Sequence, residues 1–146
     1  MNYLPDILSL LLAAGCGTVI GIERQLKHKP AGLRTNIMIC LGAAVFTVIS
    51  EQMSAGTPDS ITRIAAQIVT GVGFLGAGAV IQDRGGIHGL TTAATIWLVA
   101  SIGMACGARL YYLAIITTVL ALGVLIGLGH VDKYFEHHDE KQHKSR

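Results

Sequence analysis

The chain has 146 residues, of which 51% are hydrophobic and only 14% are charged, and its formal net charge is +2 at pH 7. A soluble domain of this length leaves much of its surface in water and normally carries about 25% charged residues. The composition therefore excludes an ordinary soluble domain and favours one domain that uses the lipid bilayer as its solvent. We expect no nucleic-acid partner.

Five apolar stretches are long enough to cross a hydrocarbon core of about 30 Å as helices. They run from Asp6 to Gly21, Leu33 to Ser50, Ile64 to Gln82, Gly89 to Gly107 and Leu110 to Gly129. Backbone polar groups in lipid must be satisfied within the segment, so each stretch is predicted to be a helix. The predicted fold is an all-α integral membrane protein: a compact bundle of five transmembrane helices over residues 1–130, followed by a short polar cytoplasmic tail at 131–146.

The distribution of Lys and Arg predicts the orientation of this bundle. With the N-terminus outside, two of these residues lie on the outer side, Arg63 and Arg109, and nine lie on the inner side. Positively charged residues accumulate on the cytoplasmic side of membrane proteins. The N-terminus is therefore predicted to be outside and the C-terminus inside.

The stretch "TGVGFLGAGAV" (70–80) contains the G-x-G-x-x-G spacing of a dinucleotide-binding turn. That turn follows a strand and needs an acidic residue about 20 positions onward, but here the glycines lie inside an apolar span and "TTAATIW" (91–97) follows. We interpret the glycines as helix-packing positions, with a local helix break at 71–78 as the alternative. The predicted packing glycines are Gly17, Gly21, Gly71, Gly73, Gly76 and Gly78, and Gly103/Gly107 and Gly123/Gly127 have the same G-x-x-x-G spacing as Gly17/Gly21.

The charged residues closest to membrane depth fall near the ends of the predicted spans. Those assigned to the inner side are Glu23, Arg24, Arg34, Asp83 and Arg84. They are either ion-paired anchors for the helix ends, or an inner polar vestibule that binds a cation or a protein partner.

Arg63 and Gln67, four residues apart, place a polar stripe at the outer entry of the third span. The alternatives are a functional stripe, or a structural one in which Arg63 extends to the interface and Gln67 bonds a neighbouring helix.

For the hydroxyl and thiol groups inside the spans, we favour a structural role over a functional one. Thr91, Thr92 and Thr95 open the fourth span and can bond backbone carbonyls, although a pore could also use such hydroxyls. The three cysteines, at 16, 40 and 106, are expected to be buried free thiols. The histidines of the tail have no fixed ligand spacing, so no metal site is predicted there.

Four motifs in order, "GIERQ" (21–25), "AGLRTN" (31–36), "RIAAQIVTGVGFLGAG" (63–78) and "GLTTAATIW" (89–97), closely resemble the MgtC/SapB family of bacterial inner-membrane proteins. The resemblance implies a multi-pass domain in the cytoplasmic membrane. Its candidate functional residues are Glu23, Arg24, Arg34, Asn36, Arg63, Gln67, Asp83, Thr91 and Thr92. This chain has Thr91 where members like the namesake carry Asn, and it stops soon after the last predicted span, where they continue into a soluble domain.

The resemblance implies a non-enzymatic protein linked to magnesium homeostasis and to adaptation to low magnesium and stress. The expected action is regulation of other membrane proteins, the F-type ATP synthase being one partner implied by the family, and a homo-oligomer is expected. The alternative is a transporter or channel for Mg²⁺ or another divalent cation. No cofactor is expected, Mg²⁺ entering only as the regulated or transported ion. An enzyme is the third interpretation, and the sequence disfavours it because no nucleophile, base and orienting group appear in register.

Overall fold

The computed structural model describes the backbone at residues 3–53, 58–83 and 86–143, and side chains over 3–53, 63–81 and 86–128. Within those residues the chain forms five helices and one short antiparallel hairpin. The helices are α1 (Leu4–Leu26), α2 (Leu33–Met53), α3 (Pro58–Gly78), α4 (Leu90–Gly107) and α5 (Tyr111–His143), and the hairpin strands are β1 (Ile81–Asp83) and β2 (Gly86–His88).

Four helices are long and apolar enough to cross a membrane: α1, α2, α4 and the Tyr111–Leu128 part of α5. The described side chains of α3 begin only at Arg63, and the part of α3 from there to Gly78 is shorter than those four helices. The prediction of a helical membrane protein is confirmed in this coarser form.

The boundaries differ from the predicted ones at three places. Helix α1 continues to Leu26, beyond the predicted end at Gly21, because the charged residues of its last turns are buried and paired rather than solvated. Helix α3 ends at Gly78, before the predicted Gln82, and the hairpin follows; Gly89, at φ +91°, then turns the chain into α4. Helix α5 continues to His143 instead of ending near Gly129.

The tightest packing joins α1, α2 and α4, whose buried side chains include Ile20, Cys40, Val99 and Ile102. The three cysteines are free and buried in this core, as predicted. Because most core residues are small or medium-sized, the helix backbones come close together.

Helices α3 and α5 lie against this core and leave wide apolar faces open. Helix α3 packs on α4 and α2, and α5 packs on α1 and α4. Phe74 of α3 is 81% exposed, and Val119 and Leu120 of α5 are also exposed. Exposed apolar side chains of this kind are expected where helices face lipid or another membrane protein.

Contacts between distant residues define two ends of the bundle. At the Arg109 end, Arg109 contacts Asp6 and Glu51, so the start of α1, the end of α2 and the α4–α5 junction meet there. At the Arg24 end, Arg24 contacts Thr92, so the end of α1 meets the start of α4. Gly76, near the end of α3, lies beside Ala93 in the first turn of α4. Successive helices thus alternate in direction, and the start of α1 and the Leu125 region of α5 lie at opposite ends.

Candidate functional site

Arg24 is the centre of a buried charged cluster at the Arg24 end. It lies in the last turn of α1, is only 2% exposed, and donates from Nη2 to Thr92 Oγ1 over 2.9 Å. Thr92 is itself buried in the first turn of α4. Because a buried guanidinium is costly without partners, this hydrogen bond ties the two helices at a fixed register. Arg24 Nε has no hydrogen-bond partner among the described residues.

Glu23 supplies the carboxylate of the same cluster and is 6% exposed. Lys27, one helical turn away, places Nζ 2.7 Å from Glu23 Oε1, while Arg24 Nη1 lies 4.0 Å from Oε2. Neither carboxylate oxygen has a hydrogen bond within the described part of the chain, so these links are charge contacts without hydrogen-bond geometry. Two cations around one carboxylate leave the cluster with a net positive charge.

Lys27 also connects this cluster to α5. Its Nζ donates to the backbone carbonyl of Leu125 over 2.6 Å. The same ammonium therefore bridges a carboxylate of α1 and a carbonyl of α5. The i, i+4 spacing of Glu23 and Lys27 is visible in the sequence, but the contact with α5 is not.

Asn36 organises the neighbouring loop from inside α2. It is fully buried, and its Nδ2 donates to the carbonyls of Ala31 and Gly32, both at 2.8 Å. Its Oδ1 has no partner among the described residues. The amide thus holds the loop before α2 and keeps one acceptor free.

Of the remaining candidates, those whose side chains the structure describes lie outside the cluster. Thr91 is exposed, and its carbonyl accepts from Thr95 Oγ1 over 2.7 Å, so Thr92 and not Thr91 meets Arg24. Arg34 is exposed in the first turn of α2. Asp83 lies in β1, but its side chain is outside the described set, and Arg84 lies outside the described residues.

Arg63 and Gln67 are exposed on α3, away from the charged cluster. Gln67 lines a groove of about 350 Å³ between α2 and α3, whose other walls are apolar, including Ile39, Phe46 and Leu75. The structure does not bring these two residues together with Glu23 and Arg24.

The glycines divide into two groups. A Cβ at Gly17 would lie 2.9 Å from the carbonyl oxygen of Asn36, and one at Gly21 would lie 2.8 Å from Leu33 Cα. A Cβ at Gly76 would make an ordinary contact of 3.6 Å with the carbonyl of Ala93. Gly71, Gly73 and Gly78 have no heavy atom of the described structure within 4 Å of that position. Close backbone contact thus involves α1 but not the open face of α3.

The contacts at the Arg109 end were not anticipated from the sequence. Arg109 Nη2 lies 3.1 Å from Asp6 Oδ1, and Nη1 lies 3.2 Å from Glu51 Oε1. The hydrogen bond to Asp6, and then the charge of Glu51, raise the pKa of Arg109 above its usual value. Tyr111 adds a contact of 3.1 Å with Ser9. These residues are far apart in the sequence, so no local pattern signals their contact.

Over the side chains that the structure describes, no group of three or more His, Cys, Asp or Glu could hold a metal ion. The cluster at the Arg24 end is instead a set of fixed charges between three helices. Long apolar helices that carry such a cluster and expose apolar faces define a helical membrane protein.

Comparison with known proteins identifies the family. The MgtC family model matches residues 10–134, and the chain belongs to the MgtC family. It is 48% identical over 122 residues to Protein MgtC of Salmonella typhimurium, covering 84% of this chain and 52% of that protein. It is also 48% identical over 108 residues to Protein MgtC of Brucella abortus and of Brucella suis, covering 74% of this chain and 44% of theirs.

The chain therefore spans about half the length of the curated relatives it matches. No solved structure matches it.

Proposed function

We propose that this chain is a non-enzymatic protein of the bacterial inner membrane that serves magnesium homeostasis and adaptation to low magnesium, by binding and regulating other membrane proteins. Membership of the MgtC family supports the link to magnesium. The observation that carries the regulatory part is the position of Gln67 on the open face of α3.

Gln67 is exposed and makes no hydrogen bond to another described residue, although it lies in an otherwise apolar groove. An amide that faces lipid lacks partners for its N–H and C=O groups, whereas amides between membrane helices bond across the interface. A transmembrane helix of another protein, lying along the groove between α2 and α3, would satisfy Gln67 and cover the apolar walls.

The proposed topology has five crossings, with the N-terminus outside and the C-terminus inside. The alternating directions of the five helices support the odd number of crossings. The excess of Lys and Arg at the Arg24 end and in the tail supports placing that end in the cytoplasm.

Affinity purification in mild detergent, with two matched glycine variants, tests the regulatory proposal. Gly71→Leu fills the groove, and Gly123→Leu adds the same side chain to an open position of α5; neither glycine has a described heavy atom within 4 Å of a Cβ. We expect the wild type and Gly123→Leu to recover a discrete membrane protein and to support growth in low magnesium, and Gly71→Leu to lose both. Recovery of the chain alone from wild-type membranes would contradict the proposal.

The second candidate function is transport of Mg²⁺. It is favoured by the two Glu23 oxygens and the Asn36 Oδ1, which are buried and accept no hydrogen bond from described residues. Against it, Lys27 already neutralises Glu23 at 2.7 Å, so an entering dication has to displace an ammonium. Purified protein in liposomes should move no Mg²⁺ down a gradient; flux that Glu23→Gln abolishes would establish transport instead.

A further inference from the structure

A second polar site lies beside the buried cluster, where the loop between α1 and α2 meets both helices. It is a pocket of about 410 Å³ lined by Gln25, Pro30, Gly32, Leu33, Arg34 and Thr35. Unlike the cluster around Arg24, this pocket is open at the surface, because Gln25, Arg34 and Thr35 are all exposed.

The polar groups of the pocket are hydrogen-bond donors that the described structure leaves largely unused. The Arg34 guanidinium and the Thr35 hydroxyl make no hydrogen bond or ion pair with another described residue. Gln25 uses its Oε1 to accept from the backbone N–H of Leu33 over 3.4 Å, which leaves its Nε2 as a donor. Donors without a lining carboxylate are the chemistry of an anion site.

Charge at this position is positive, and no described carboxylate lines the pocket. Lys29, on the same loop, is exposed, so its ammonium adds to the charge of Arg34. Glu23, the buried carboxylate of the neighbouring cluster, already pairs with Lys27. The pocket therefore attracts an anion rather than a cation.

Apolar side chains continue from the pocket along both helices toward the middle of the bundle. Ile22 precedes Gln25 by three residues on α1 and is 46% exposed, and Met38 follows Arg34 by four residues on α2 and is 68% exposed. Residues three or four apart on a helix share a face, so both side chains lie about one turn below the polar groups. Farther along, Val19 and Val45 are also exposed.

We propose that this pocket binds the headgroup phosphate of an anionic phospholipid, with Arg34 as its principal charge and Ile22 and Met38 against an acyl chain. The donors and the positive charge of the pocket favour binding of a phosphate. The exposed apolar side chains below it favour a lipid phosphate over a soluble phosphate ion. Basic residues near a bilayer surface attract anionic lipids with a weight of about 1 kcal/mol each. Because phosphate headgroups line both faces of a membrane, the site depends neither on the orientation nor on the proposed regulatory function.

Native mass spectrometry of the full chain in an uncharged detergent tests this site. The protein is titrated with dioleoyl phosphatidylglycerol or with dioleoyl phosphatidylcholine, which differ only in the headgroup. We expect phosphatidylglycerol to bind preferentially, and Arg34→Gln to weaken its binding about fivefold, the weight of one basic residue. The matched control is Arg63→Gln, which removes the same charge from an exposed position of α3 and should leave the preference unchanged.

Two further readouts make the outcome decisive. Both variants should elute at the wild-type volume and keep the wild-type helical circular dichroism, which separates lost binding from lost folding. Glycerol 1-phosphate, which carries the phosphate without acyl chains, should not displace the lipid at equal concentration. Equal binding of the two lipids, equal losses in the two variants, or displacement by glycerol 1-phosphate would each overturn the proposal.

Discussion

Glycine has opposite environments in two regions of this bundle. At the α2–α4 contact, a Cβ on Gly107 would lie 2.6 Å from the carbonyl of Ala44, and one on Gly103 would overlap the carbonyl of Cys40. On α3, Gly71 and Gly73 have no described heavy atom within 4 Å of the position of a Cβ. Glycine content alone therefore does not identify the centre of a membrane bundle; what matters is whether another backbone occupies the space that the missing side chain leaves.

The polar residues of the two regions differ in the same way. Arg24 and Thr92 are buried and bonded to each other within the tightly packed region. Gln67, on the open face of α3, makes no hydrogen bond with another described residue. Polar side chains of the tightly packed region thus contact one another across helices, whereas Gln67 lies exposed in an apolar groove.

Arg24→Met should produce the largest loss of stability. It removes the hydrogen bond to Thr92 and one of the two cations near the buried Glu23, and breaking a buried charge arrangement costs about 3 kcal/mol. The free energy of unfolding, measured by SDS titration in mixed micelles, should fall by that amount. Arg34→Met removes an exposed cation and should change it by less than about 0.5 kcal/mol. Equal losses in the two variants would show that Arg24 contributes nothing by being buried.

Gly103→Ala should have the next largest effect. The new methyl group meets a backbone carbonyl of α2, which cannot move aside as a flexible side chain can, so we expect a loss of about 2 kcal/mol in the same titration. Gly123→Ala, on the open face of α5, is the control and should be neutral or slightly stabilising. A neutral Gly103→Ala would mean that α2 and α4 are not in close contact.

Gly73→Ala should have the smallest effect and the opposite sign. With open space around the Cβ, the gain in helix propensity of about 0.5 kcal/mol should appear without a packing cost. Gly17→Ala, which places a methyl group against Asn36, is the comparison and should be destabilising. If Gly73→Ala destabilised the purified protein as strongly as Gly17→Ala, the distinction between the two regions would not hold.

Part of this structure could be predicted from the sequence because it depends on local patterns. The length of the apolar stretches predicts helices that can cross a membrane. The G-x-x-x-G spacings at Gly17/Gly21 and Gly103/Gly107 coincide with close backbone contacts. The spacing could not place the α3 glycines, because a glycine stripe is the same in sequence whether a helix faces a neighbour or lipid.

The candidate site could be predicted only in part. Glu23 and Arg24 were identified as polar residues near a span end, but their burial depends on α4 lying across them. Thr91 and Thr92 point about 100° apart around α4, so the sequence alone does not show which of them contacts α1. The position of Arg24 shows that it is Thr92. Lys27 and Leu125 are 98 residues apart, beyond any local pattern. The hairpin before α4 did have a signal in the sequence "DRGG" at 83–86, because glycine is typical of tight turns.

One face of α2 contacts both α1 and α4. Leu33, Asn36 and Cys40 meet the glycines of α1, while Cys40, Ala44 and Thr47 meet those of α4, and the spacing of three and four places all of them on a single side of the helix. Turning α2 about its own axis would therefore release α1 and α4 together. A single residue inserted near Gly42 would rotate the residues after it by about 100° relative to those before it. Helix α2 could then keep its close contact with either α1 or α4, but not with both.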